Sequence, residues 1–402
     1  MRTIRHFAAA CALGAATWVA GAAPPAAAEE LVVGVFLPTT GPLAPLGNDM
    51  KRGFELAAKG AKVKGQPVRI IIEDTAANPA NGVRKAQKLV LEDKAKILIG
   101  GASSAVTLAV NAQSARLNVP IITTNAQAVA VTGDQCSRFL FRTVPNDAMS
   151  AKAIGIMMQK RPDLLAKNWF IVYHDFAYGH SNKAEFSKIP GIKIAGDAGR
   201  PVGTADWSSA ISQIQASKAD AIYLALAVGD DLTAFVNQAR AFGINYVMMA
   251  PVGIPDSMLQ ALGKNGVGMV AGGLTTSWMQ EATNPKIRAF VKAYHAANGV
   301  VPGYQAIQAY AGFQFMLAAL EASSDHAPDT IVKALETTKA DTIVGPIQIR
   351  KGDHQAMVGA YMAEAVALPE EMFGAKVGWK LLDPITWDQM KVELADTGCK
   401  GL

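Results

Sequence analysis

Short apolar runs alternate with segments of helical period, and the alternation occurs twice along the chain. The first series opens at LVVGVFL (31–37), a run rich in β-branched residues that stops at Pro38. Helical spacing over 47–61 follows. Then come a strand over 68–72, a helix over 81–91, a strand over 97–99, a helix over 106–117 and a strand over 120–123. Buried strands separated by amphipathic helices read as βαβ units, which run the strands parallel and cover the sheet on both faces. The pattern starts afresh after 139–145. Strands are expected over 169–174, 192–195, 221–227 and 246–250, with helices over 182–189, 207–217 and 232–242 between them. Helices over 285–297 and 305–322 come next, then strand-like pieces over 347–350, 356–363 and 377–382. Two series, each with its own core, predict an α/β fold of two lobes, each a mostly parallel sheet flanked by helices.

The first 28 residues stand outside this pattern. Arg2 and Arg5 precede an Ala-rich apolar run over 7–23, and Ala26-Ala27-Ala28 supplies a small-residue cleavage site. These features predict a secretory signal peptide over 1–28, so the mature chain is expected to be exported and soluble. A lipoprotein leader would need a larger aliphatic residue three places before Cys11, where Ala8 stands. No later apolar run is long enough to span a bilayer. Two of the 38 Lys and Arg leave with the leader, against 33 Asp and Glu, so the net charge falls from +5 to about +3. So small and dispersed an excess gives no footprint for nucleic acid or anionic lipid. Cleavage also removes Cys11. The even pair Cys136 and Cys399 then reads as one disulfide in an oxidising compartment, the alternative being two buried thiols.

No catalytic or metal constellation emerges. The five histidines beyond the leader form no H-E-x-x-H, and the two cysteines lack C-x-x-C spacing, so no structural zinc set is present. His174, Asp175 and His180 flank one loop, which reads as an ordinary polar loop before it reads as a metal site. Gly266-Val-Gly268-Met-Val-Ala271 fits G-x-G-x-x-A, but a helix precedes it and a strand-like run follows, the reverse of a dinucleotide-binding turn. Neither a phosphate loop nor a G-x-S-x-G elbow occurs. No enzyme activity, cofactor or metal is expected.

Three loops carry the functional signal. Gly100-Gly101-Ala102-Ser103-Ser104 lies between a buried strand and a helix. Ligands of open parallel sheets bind beyond the carboxyl ends of the strands. A serine at a helix start places a hydroxyl beside unpaired N–H groups and the positive dipole end, which suits a carboxylate, though a plain N-cap looks the same. Thr123-Thr124-Asn125-Ala126-Gln127 follows the next strand, and Asp175-Phe-Ala-Tyr178-Gly179 the first strand of the second series. Asn125, Ala126 and Gln127 are expected to face the same crevice. Tyr178 offers it a ring face and a hydroxyl.

With these pieces in order, the chain resembles the periplasmic solute-binding proteins of the branched-chain amino acid type, which serve ABC importers. The resemblance rests on VGVFLPTTGPLAPLG (33–47), IEDTAANPANGVRKAQKLV (72–90), ILIGGASS (97–104) and VPIITTNA (119–126). FRTVPND (141–147), FIVYHDFAYG (170–179) and FVNQARAFGI (235–244) continue it. It implies a monomeric periplasmic receptor that traps a small solute between two lobes and delivers it to permease subunits. It also implies three hinge crossings, near 143–147, 275–279 and 345–352. The first lobe is then expected over 29–144 and 277–346, and the second over 145–276 and 347–402 with the tail strands.

The departures from that family concern the ligand. Amino-acid binders hold the α-carboxylate with a serine at the Gly-Gly-Ala-Ser-Ser position, which Ser104 matches here to within a residue, Ser103 being its neighbour, and with a threonine where Gln127 stands. They grip the α-ammonium with an acid in a G-P-E-G-like turn, where this chain has Ala250-Pro251-Val252-Gly253. An ammonium buried beside Val252 lacks a counter-charge, a loss of about 3–5 kcal/mol. Asp230 and Asp231 could substitute, but their place at a helix start marks them as cap and first-turn acids. Leu46, Tyr178, Val228 and Val252, joined by Trp278 and Tyr304 unless these two serve ordinary lobe packing, are expected to form an apolar wall, suited to an aromatic or aliphatic organic acid. An amino acid or small amide is the alternative ligand, and sensing for a kinase or chemoreceptor the alternative role.

Overall fold

The computed structural model describes residues 30–227, 229–400 and 402. The expected leader and the candidate wall residue Val228 lie outside the described residues. The first sheet has nine strands, of which the first six in chain order are β1 (Leu31–Leu37), β2 (Lys62–Val63), β3 (Gln66–Asp74), β4 (Ile97–Gly100), β5 (Ile121–Thr123) and β6 (Leu140–Arg142). β1 lies between β3 and β4 in parallel register, with Val33 opposite both Ile70 and Ile97. All seven β1 residues are buried because helices cover both faces of the sheet. Helices Ala44–Ala58 and Tyr304–Ala322 pack together on one face, with Phe54 and Phe313 rings 6.2 Å apart.

The second sheet is built from β7 (Asn168–His174), β8 (Lys193–Arg200), β9 (Ala221–Ala225), β10 (Val247–Ala250) and β11 (Val270–Leu274). β7 sits between β8 and β9, and β10 between β9 and β11, all parallel. The remaining strands are β12 (Lys339–Thr342), β13 (Gly345–Arg350), β14 (Gln355–Ala356), β15 (Ala360–Met372) and β16 (Ala375–Ile385). β15 and β16 form a long antiparallel hairpin that joins the second sheet through β11.

The tail departs from the expected division at 346/347. β13 and β14 remain in the first sheet, where β14 runs parallel to β6. The Arg142 N–H donates to the His354 carbonyl at 3.0 Å, and the His354 ring stacks on Phe141 with centroids 3.9 Å apart. These contacts hold the chain in the first lobe through Ala356, so it passes to the second sheet at 357–359 and not at 345–352. The other passages lie between β6 and helix Asp147–Lys160, which packs on β11, and after β11. The last residues return to the first lobe as well, where Cys399 is bridged to Cys136. Among the described residues, no helix is long and apolar enough to cross a membrane.

Candidate functional site

The carboxyl ends of the two sheets face each other across a cleft. On the first-lobe side, β4 ends in Gly100 (φ 128°) and Gly101 (φ 63°) follows it, a backbone path open to glycine. A Cβ at Gly100 would stand 2.7 Å from the Phe36 carbonyl oxygen, so the turn also needs the missing side chain. Ser103 then caps helix Ser104–Asn111, its Oγ accepting from the Val106 N–H at 3.5 Å. Ser104 Oγ accepts from the Ala128 N–H at 3.2 Å. Thr123 Oγ1 donates to Gly101 O and accepts from the Ala126 N–H, both at 2.9 Å, and Asn125 Nδ2 donates to Ala102 O at 3.0 Å. The two loops are thus stitched into one surface. The Ser103 and Ser104 oxygens serve as acceptors there, which leaves each hydroxyl proton to donate elsewhere. Gln127 is 2% exposed, and its Oε1 has no protein partner.

From the second lobe come Phe176 and Tyr178 after β7, Ala227 after β9 and Val252 after β10. Together with Leu43, Leu46, Ala102, Ser103, Ser104, Asn125, Gln127 and Tyr304 they line an interlobe cavity of ≈ 30 Å³. Eight of the expected site residues therefore meet at one cavity. Ala126 is buried behind its wall, donating its N–H to Thr123. Burial holds the Tyr178 and Tyr304 hydroxyls above their ordinary pKa, with Asp147 adding to the shift at Tyr178 and Asp49 and Asp256 at Tyr304. Both phenols are therefore neutral donors at physiological pH. No Asp, Glu, Lys, Arg or His lines the cavity among the described residues.

Trp278 lies apart from the cavity, in ordinary packing. Its indole Nε1 donates to Asp256 Oδ1 at 2.6 Å, and its ring meets Phe373 edge-on at 6.5 Å, inside the packing around the β15–β16 hairpin. A buried indole N–H needs an acceptor, and Asp256 supplies it away from the cavity. Leu43, Ala102, Phe176 and Ala227 were not singled out in the sequence. Each lies within a few residues of one that was, on the same loop. Asp231 accepts from the N–H groups of Gly203 (2.7 Å) and Leu232 (3.0 Å), and Asp230 is exposed at the same helix start, so neither faces the cavity. The Gly266–Ala271 stretch follows a 3₁₀ turn and runs directly into β11 and not into a helix. His180 Nε2 lies 2.7 Å from Asp175 Oδ1 at the surface, and no third metal-binding side chain joins them among the described residues.

A family model described as periplasmic binding protein matches residues 30–368. Leu/Ile/Val-binding protein homolog 8 of Brucella abortus (strain 2308) is 27% identical over 341 residues, 80% of this chain and 84% of that protein. The crystal structure of a periplasmic binding protein from Burkholderia mallei shares the fold with a TM-score of 0.83 at 23% identity, covering 92% of this chain and 98% of that one. A solute-binding protein of an ABC transporter from Rhodopseudomonas palustris BisB5, in complex with 3,4-dihydroxybenzoic acid, gives 0.80 at 23%, covering 89% and 97%. The chain belongs to the periplasmic binding protein family.

Proposed function

We infer that the exported chain is a monomeric receptor that traps a small carboxylic acid lacking an α-ammonium, with an aromatic acid preferred, and delivers it to permease subunits. One observation carries this reading: hydroxyl and amide groups gather at the start of helix Ser104–Asn111 on one side of the cavity, and among the described residues no acid lines the side opposite them. Ser104 and Ser103 would donate to the carboxylate, assisted by the helix N-terminus. Leu43, Leu46, Phe176 and Val252 would hold the apolar body. Gln127 Oε1 would take a ligand hydroxyl, a group that the 3,4-dihydroxybenzoic acid held by the Rhodopseudomonas protein carries.

The cavity of ≈ 30 Å³ is far below the roughly 150 Å³ that accommodates benzene in a protein core. A ring therefore enters with the lobes further apart and is enclosed as they approach. Closure by bending at the three passages between the sheets is the route.

The test is a thermal-shift and calorimetric comparison of 3,4-dihydroxybenzoate, benzoate and leucine on mature, ligand-stripped protein. A ligand at a hundred times its dissociation constant adds about 2.7 kcal/mol of stability. The benzoates are expected to shift the melting temperature, and leucine to leave it in place. Strong stabilisation by leucine would overturn the reading, because its ammonium would have found a carboxylate that the cavity does not show.

A further inference from the structure

His174 ends β7 and is fully buried, although it touches neither the cavity nor any expected ligand group. Its Nδ1 accepts from the Ala227 N–H at 2.9 Å, so the neutral ring carries its proton on Nε2. Nε2 lies 2.8 Å from Asp231 Oδ2, at an angle that makes the contact more electrostatic than a well-aligned hydrogen bond. The same Asp231 oxygen accepts from the Gly203 N–H at 2.7 Å. One imidazole and one carboxylate therefore join the loops that follow β7, β8 and β9.

Two glycines in those loops meet the opposite lobe. A Cβ at Gly229 would stand 2.5 Å from the Pro42 carbonyl oxygen, and one at Gly203 would stand 3.2 Å from Pro42 Cγ. Pro42 thus sits against two side-chain-free turns of the second lobe. Its neighbour Leu43 lines the cavity from the first lobe, and Ala227, held by His174, lines it from the second.

We propose that His174 is a positioning residue: with Asp231 it holds the Gly203 and Gly229 turns as a seat for Pro42, and seating Pro42 completes closure over the ligand. The proposal rests on the trapping function inferred above. His174 makes no ligand contact, so its contribution appears in how long the closed state lasts and thus in the dissociation rate.

The experiment places a fluorophore pair at exposed Lys59 and Lys218, one in each lobe, and measures their separation and ligand dissociation rates with 3,4-dihydroxybenzoate and with leucine. Whichever ligand closes the wild-type protein is then used on the variants. Gly229→Ala and His174→Ala are expected to raise its dissociation rate roughly tenfold and to leave the lobes further apart at saturation. His174→Gln, which offers an acceptor to Ala227 and a donor to Asp231, is expected to recover most of both. Wild-type rates and distances in Gly229→Ala and His174→Ala would overturn the proposal, as would a His174→Gln protein as impaired as His174→Ala. If neither ligand moves the wild-type lobes, the ligand reading fails separately. The seat is then judged on the ligand-free distances, which Gly229→Ala must lengthen for the proposal to survive.

Discussion

Arg142 Nε donates to Gln355 Oε1 at 2.7 Å, with both side chains buried where β6 meets β14. The same guanidinium donates to the carbonyls of Ala128 (2.8 Å) and Ala126 (3.3 Å) and to Thr132 Oγ1. Those carbonyls flank Gln127, so a charge outside the cavity frames the loop that brings the cavity its amide. Gln355 Nε2 in turn donates to Val144 O at 2.8 Å, on the first passage between the sheets. Burial lowers the Arg142 pKa to about 10, with Asp147 and Asp353 opposing the shift, so it stays charged at neutral pH.

Arg142→Ala leaves several buried acceptors without donors, at about 1–3 kcal/mol each. The expected outcome is a loss of several kcal/mol in urea unfolding and weakened binding of 3,4-dihydroxybenzoate. Arg142→Lys is expected to recover little, because one ammonium cannot reproduce the planar fork. Wild-type unfolding and affinity in Arg142→Lys would show that the fork is dispensable.

The Cys136–Cys399 bridge joins residues 263 apart and secures a tail whose Leu394 packs over Gly352. In the chain-entropy model, closing so long a loop is worth up to about 5 kcal/mol. Reduction is therefore expected to lower the melting temperature and to expose the last residues to carboxypeptidase, while leaving ligand affinity near its oxidised value. Thiol labelling of the oxidised, denatured protein checks the bridge directly, with no free cysteine expected.

The βα alternation was legible because each strand buried on both faces must be apolar along its whole length, as LVVGVFL is. The Gly100–Gly101 turn was legible for the same kind of reason, since backbone at positive φ leaves few residue choices. Trp278 was not. Its direction depends on Asp256, 22 residues earlier, and no local pattern records which of two faces an indole will take. The edge strand β8 runs to Arg200, but it carries Gly196, Asp197 and Gly199 and so reads as a turn after Ala195. The third passage was misplaced because β13 and β14 are held by Arg142 and His354, partners that sequence order does not bring together.

Ser104→Ala tests the anion end of the cavity. The hydroxyl anchors the Ala128 N–H and has a proton left for a carboxylate. A hydrogen bond to a charged group is worth about 1.5–3 kcal/mol, so affinity for 3,4-dihydroxybenzoate is expected to fall by roughly ten- to a hundred-fold. Binding of an uncharged analogue such as the corresponding benzamide is expected to fall much less. Equal losses for both in calorimetry would mean that Ser104 shapes the loop without touching the charge.

Asp147 opens helix Asp147–Lys160 at the first passage between the sheets and is 1% exposed, with neither carboxyl oxygen in a well-formed hydrogen bond. Burial pushes its pKa from 3.8 to about 7, and the nearby Ser181, Arg142 and Asn182 offset this only in part. Between those values the folded chain keeps a proton that the unfolded chain has released. Its contribution to stability therefore falls as pH rises from about 4 to about 7 and is level above that. The span corresponds to a few kcal/mol in order of magnitude. Asp147→Asn removes this titration, so the variant is expected to match the wild type near pH 4 and to exceed it increasingly toward pH 8. Urea midpoints of the two proteins across that range check the sign: parallel curves would mean that Asp147 is already ionised in the folded chain.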